Sequence, residues 1–171
     1  RKRNSGPEAS GCAAGFLVDA ATEVGLRSEG IDVSTSAVDL ARLHSRGDFR
    51  VADLDDISES GAKFDIVGLF DVLEHSPDPR QMILSMSRVL NDGGMGFISV
   101  PRYGGWLSQL QWDRYYHFGR DHRWYFTAES LAGLIEKSGI ALEVEIFPLG
   151  DLLLQLKASV GTIEKYVGSR D

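Results

Sequence analysis

The chain has 171 residues, which suits one domain at the usual size of roughly 150 residues. Its 43% hydrophobic and 25% charged residues exclude a disordered or low-complexity protein. The 18 Lys and Arg against 25 Asp and Glu leave a net charge of −7, which repels phosphate backbones and anionic lipid, so nucleic acid is not an expected partner.

Cys12 stands alone, no apolar signal core follows Arg1, Lys2 and Arg3, and no apolar run reaches the roughly 18 residues of a membrane span. The expectation is a cytoplasmic single domain over residues 1–171. Phe16, Leu17, Ala20, Ala21 and Val24 form the stripe of a first helix, stopped at Gly25. Residues 29–33 read as a strand, Ser34 or Ser36 caps a helix carrying Val38, Leu40, Ala41 and Leu43, and residues 49–54 read as a second strand. The apolar run 64–70, broken only by Asp65 and Gly68, has the pattern of a strand covered on both faces, and is expected at the centre of a sheet.

Pro79 opens a helix with Met82, Ile83, Met86, Val89 and Leu90 on one side; Gly93 and Gly94 end it before a strand at 95–100. Residues 101–126 show no clean period but are dense in Trp, Tyr, Arg and His, which suggests a lid or substrate loop. Thr127 caps a helix to Ser138. Residues 141–147 alternate Leu142, Val144 and Ile146 with Glu143 and Glu145, as an edge strand does. Asp151 is expected to cap a last helix over 151–168, whose apolar side could pair two copies as a homodimer. Strands alternating with helices imply an α/β fold with a doubly wound, mostly parallel sheet and helices on both faces, binding its ligand at the carboxyl ends of the strands.

Three groups of residues stand at those ends. The small residues Gly11, Cys12, Ala13, Ala14 and Gly15 let backbone N–H groups approach a ligand at the first helix, or simply form a tight turn. Asp32 can accept hydrogen bonds from both hydroxyls of a ribose, or cap the helix after it. Asp53 and Leu54 suit the edge and face of an adenine, or else Asp53, Asp55 and Asp56 are solvated acids at a helix N-terminus.

These residues resemble those of the class I S-adenosylmethionine-dependent methyltransferases, in particular the small-molecule type that includes the ubiquinone-biosynthesis O-methyltransferases. The resemblance covers about residues 11–148 and rests on Gly11-Cys12-Ala13-Ala14-Gly15-Phe16-Leu17, Gly30-Ile31-Asp32-Val33-Ser34, Val51-Ala52-Asp53-Leu54, Phe64-Asp65-Ile66-Val67, Asp71-Val72-Leu73-Glu74-His75, Leu90-Asn91-Asp92-Gly93-Gly94 and Ile98-Ser99-Val100-Pro101. It implies a Rossmann-like methyltransferase fold. It also implies S-adenosylmethionine as cofactor, with the glycine loop under the methionyl part, Asp32 and Val33 at the ribose, Asp53 and Leu54 bordering adenine, and Phe70 and Asp71 near the methionyl end. In one respect the chain departs from the pattern. Ala9 stands where the family has an acid, and residues 1–10 read as irregular, so the first strand of the family is expected to be missing or degenerate.

The resemblance implies methyl transfer to a small-molecule acceptor, with a hydroxyl oxygen the expected target. Such chemistry needs an aligned nucleophile and a base. His75 follows the run 64–70 closely and is the candidate catalytic base, with an orienting role in its loop as the alternative. His44, at a helix end, is set aside as a surface residue. Asp71, Glu74 and His75 at i, i+3 and i+4 would face one way on a helical turn, so a divalent metal there is an alternative to the expected metal-free site. Arg102, His117, His122 and Trp124 are the candidate acceptor contacts in the lid.

Two other functions compete. A degenerate, non-catalytic methyltransferase-like binding module would fit the missing strand. An NAD-binding oxidoreductase is disfavoured because the loop is G-x-x-x-G rather than G-x-G-x-x-G, and no Tyr has a Lys four residues later.

Overall fold

The computed structural model describes residues 15–105, 121–138, 142–149 and 153–160. Expectations for Gly11, Cys12, Ala13, His117 and the missing first strand lie outside the described residues. Contacts divide the chain into two compact units, the first ending at Asp56 and the second beginning at Ile57.

The first unit holds helix α1 (Phe16–Glu23), strand β1 (Glu29–Asp32), helix α2 (Thr35–His44) and strand β2 (Asp48–Val51). The strands pair in parallel, from Glu29 opposite Asp48 to Asp32 opposite Val51, as a strand–helix–strand unit requires. Ser34 caps α2 by accepting from the Ala37 N–H at 3.3 Å. Val38 and Ala41, three residues apart on one face of α2, pack with Phe49 of β2 and with Val18 of α1. Asp19 of α1 accepts from both the backbone N–H and the Nε of Arg46, each at 2.8 Å. That guanidinium holds the Asp19 carboxyl at about 2, below the ordinary range.

Residues 52–54 do not continue the second strand as expected. Leu54 begins helix α3 (Leu54–Glu59), because Asp53 and Asp56 cap each other: the Asp56 N–H donates to Asp53 Oδ1 at 2.8 Å and the Asp53 N–H to Asp56 Oδ2 at 3.2 Å.

The second unit contains β3 (Phe64–Phe70), a 3-10 turn (Leu73–His75), α4 (Pro79–Val89), β4 (Leu90–Pro101), α5 (Ala128–Ser138), β5 (Leu142–Leu149) and β6 (Leu153–Val160). The sheet order is β3-β4-β6-β5. β3 and β4 are parallel, while β6 runs antiparallel to both its neighbours. Asp78 caps α4 by accepting from the Gln81 N–H at 3.0 Å, with Pro79 at the first helical position. Ile83, Met86 and Val89 of α4, Ile98 and Val100 of β4, and Leu131 and Ile135 of α5 are buried.

Three expectations are corrected here. Among the described residues β3 stands at one end of its sheet rather than at the centre, and only Leu69 of its seven residues is buried, because an apolar run fixes neither a strand's place in the sheet nor what covers its faces. Pairing of β4 begins at Leu90, so Gly93 and Gly94 lie within an irregular stretch of the strand, between the Phe64–Leu90 and Ile66–Met95 pairs, and do not stop the helix. The expected last helix over 151–168 is replaced by β6 over residues 153–160, which puts Leu153, Leu156 and Val160 in a strand, while its remaining residues lie outside the described ones. Leu154, Leu156, Ala158 and Val160 alternate with Gln155, Lys157 and Ser159, a period of two that competes with the helical spacing. As a strand this segment pairs with β4 and β5 on its two sides, satisfying backbone groups that a helix would leave open.

Gly15 precedes α1 with φ of 80°, and a Cβ there would lie 2.7 Å from the Phe49 ring, whereas nothing lies within 4 Å of one on Gly25, whose φ is 87°. Gly25→Ala is expected to cost left-handed backbone strain alone, about 1 kcal/mol. Gly15→Ala should cost about 2–4 kcal/mol, because Phe49 must also repack. Urea denaturation checks the order of the two variants, and equal midpoints would contradict it.

Candidate active site

In the first unit, Asp32 ends β1 with only 2% of its surface exposed. Its Oδ1 accepts from the Ser34 N–H at 2.8 Å, a local turn bond of the kind Asp makes with the backbone two residues on. The helix cap is therefore left to Ser34, and the carboxylate sits at the carboxyl end of a parallel strand. Gly15 opens α1 where a side chain would strike Phe49. Val33 is exposed and Leu54 buried. Asp53 spends Oδ1 on the α3 cap, in keeping with the plainer of its two sequence readings.

In the second unit, Phe70 ends β3 and is partly exposed. Asp71 follows with φ of 54°, the one non-glycine residue with positive φ among the described residues. Its N–H donates to the Ser99 carbonyl at 3.0 Å. Backbone strain at the end of a parallel strand turns the chain sharply into the 3-10 turn that carries Glu74 and His75.

Residues 121–126 are bonded to that turn. The Glu74 carbonyl accepts from the N–H groups of Arg123 at 2.8 Å and Trp124 at 3.1 Å. Trp124 Nε1 donates to the Ser76 carbonyl at 2.8 Å. His75 Nδ1 lies 2.9 Å from the Asp121 carbonyl. A carbonyl only accepts, so Nδ1 carries the hydrogen and Nε2 of the neutral ring presents a lone pair. The His122 ring meets His75 edge-on, with centroids 4.7 Å apart. Arg102 forms an isolated bridge with Phe126, and Trp124, Tyr125 and Phe126 line an open cleft of about 420 Å³ with Pro77, Arg80 and Leu134.

The Glu74 carboxyl is enclosed here. The residue is 1% exposed, and among the described residues neither carboxyl oxygen has a hydrogen-bond partner. Burial, helped by the charge of Asp71 and opposed by its own backbone amide, raises its pKa to about 7. Glu74 Oε1 lies 4.0 Å from His75 Nε2.

The ligand-bearing atoms that converge, all within 4.8 Å of one another, belong to Glu74, His75 and His122. Asp71 is not part of that group, because an i, i+3, i+4 face needs an α-helical turn and Asp71 stands in the left-handed region before a 3-10 one. The structure thus brings His75, His122 and Trp124 together and adds Glu74 in a buried role that its spacing did not reveal. His44, the last residue of α2, is exposed as expected.

A family model described as a methyltransferase domain matches residues 10–144. The chain is 31% identical over 95 residues to a ubiquinone biosynthesis O-methyltransferase of Coxiella burnetii, a match covering 53% of this chain and 41% of that protein. It is 36% identical over 96 residues to the Xanthomonas campestris protein of that name, covering 53% and 40%. The matches thus span less than half the length of these relatives. Among solved structures it is similar to the magnesium protoporphyrin IX methyltransferase of Synechocystis, determined with bound SAH, with a TM-score of 0.66, 19% identity, and coverage of 87% and 71%. A SAM-dependent methyltransferase from Archaeoglobus fulgidus gives a TM-score of 0.70 at 14% identity, covering 87% and 83%. At these identities the likeness establishes the fold.

The raised pKa of Glu74 means that the folded state holds its proton more tightly than the unfolded chain. That contribution to stability is complete below the unfolded value near 4.5 and is lost as pH rises to about 7. Glu74→Gln, which keeps the shape without the charge, is expected to be more stable than the unsubstituted protein at pH 8, by on the order of 1–3 kcal/mol. The difference should shrink at pH 4.5. Denaturation midpoints at the two pH values check this, and a gap that widens toward acid would contradict it.

Proposed function

From the premise that the chain belongs to the methyltransferase-domain family, with the fold of the class I S-adenosylmethionine-dependent enzymes, we propose that it transfers a methyl group to a hydroxyl oxygen of a small-molecule acceptor. The observation that carries the reading is the family match itself, which runs through both sets of candidate residues at positions 10–144. S-adenosylmethionine supplies, when bound, a methyl carbon already activated by its sulfonium, which leaves as a neutral thioether.

The residues present fit that cofactor. Asp32 offers a buried carboxylate at a strand end, matched to a vicinal diol that donates two hydrogen bonds. Gly15 keeps the start of α1 clear of a side chain, and Gly11, Cys12 and Ala13 before it in the sequence are assigned with it to the methionyl part. Val33, Asp53, Leu54, Phe70 and Asp71 complete the proposed cofactor set.

His75 receives the hydroxyl proton at Nε2 as the oxygen–carbon bond forms. The bond from Nδ1 to the Asp121 carbonyl holds the ring in the tautomer that can do so. An ionised Glu74 carboxylate 4.0 Å away favours the resulting imidazolium. Trp124 and Arg102, with His117 and His122, orient the acceptor through a flat apolar face and polar contacts. Among the described residues no helix is long and apolar enough to cross a membrane.

Calorimetry with S-adenosylhomocysteine tests the cofactor assignment: Asp32→Ala is expected to weaken binding at least about tenfold, with circular dichroism confirming the fold. His75→Ala should leave that affinity unchanged while methyl transfer to a panel of phenols and alcohols drops by roughly 10²–10⁴. Binding indifferent to Asp32, or turnover indifferent to His75, would remove the corresponding assignment.

A further inference from the structure

We propose that Glu74, His75 and His122 form a binding site for a divalent first-row transition-metal ion. Glu74 supplies the first reason. It is 1% exposed, and among the described residues both carboxyl oxygens lie without a hydrogen-bond partner. A carboxylate enclosed in this way is costly unless a cation faces it. An ion bound there would displace no hydrogen bond of the Glu74 carboxyl among the described residues.

The imidazoles supply the second. His75 donates from Nδ1 to the Asp121 carbonyl, the arrangement in which metal-ligating histidines commonly fix their tautomer, so its Nε2 lone pair is turned toward Glu74. His122 adjoins Arg123 and Trp124, whose N–H groups donate to the Glu74 carbonyl, so the backbone that carries the second imidazole is tied to the residue that carries the carboxylate. One ligand atom from each side chain lies within 4.8 Å of the other two. A tetrahedral zinc site needs neighbouring ligand atoms about 3.3 Å apart, so binding requires the three side chains to draw closer. Two nitrogens and one carboxylate select Zn²⁺, Co²⁺ or Fe²⁺ over Mg²⁺ or Ca²⁺, and leave coordination positions open.

Ligation rests on no part of the methyl-transfer reading. If both hold, the ion occupies Nε2 and replaces it in activating the acceptor, whose hydroxyl ionises at an open coordination position and releases its proton to solvent.

The full chain, stripped by chelator and dialysed, is titrated with Zn²⁺ by calorimetry and with Co²⁺ by visible absorption. The expected result is one ion per chain, with cobalt bands of a four- or five-coordinate site. Glu74→Gln and His122→Ala should each weaken binding at least about tenfold, while His44→Ala, on the exposed end of α2, should leave it unchanged. X-ray absorption of the zinc-loaded unsubstituted protein serves where a variant fails to fold, and two imidazoles in the coordination shell are expected. Absence of stoichiometric binding, binding by both variants as tight as that of the unsubstituted protein, or a shell without imidazole would overturn the proposal. S-adenosylhomocysteine binding measured on the same samples separates its failure from that of the proposed function, since either can be lost alone.

Discussion

The chemistry available in the second unit depends on the hydrogen bonds that join residues 121–126 to the turn at residues 73–76. Two backbone N–H groups, from Arg123 and Trp124, share the Glu74 carbonyl, and the Trp124 indole reaches the Ser76 carbonyl. Together with the bond from His75 to the Asp121 carbonyl, they hold the two segments in register across 46 to 50 positions of sequence. Each such bond contributes only about 1 kcal/mol, but they act on the same few residues. Their joint effect is to enclose a carboxyl group and to aim an imidazole lone pair beside it.

Enclosure changes what Glu74 is. In water its carboxyl would be ionised throughout the neutral range; here it titrates at about 7, because burial removes solvation and Asp71 adds a like charge. A group of that kind exchanges a proton readily near neutrality or accepts a metal ion in its place. Both uses draw on one cause, the burial of the carboxyl away from solvent.

In the first unit the same residue types face a simpler competition, between capping a helix and meeting a ligand. Asp53 is drawn into a reciprocal cap with Asp56. Asp32 is not, since Ser34 takes the cap of α2 and the Asp32 carboxylate accepts from the Ser34 N–H in the turn before it. Two acids that look alike at the ends of neighbouring strands thereby acquire different local work.

Much of this was legible in contiguous residues. The stripes Ile83–Met86–Val89 and Val38–Ala41, the caps Ser34 and Thr127, Pro79 at a helix start, and the run 64–70 identified their elements because helix and strand periods and capping are set within a few residues. The ordered series of motifs from Gly11 to Pro101 likewise identified the family. Where two periods competed, as in 152–160, only pairing with β4 and β5 decided for the strand. The site shows the same division: the Glu74–His75 pair is written in the chain, but the approach of His122 is not, nor is the burial that raises the pKa of the carboxyl. Those arise when segments about 47 residues apart are brought together, and the free energy of enclosing a charge belongs to that assembled environment rather than to any stretch of sequence.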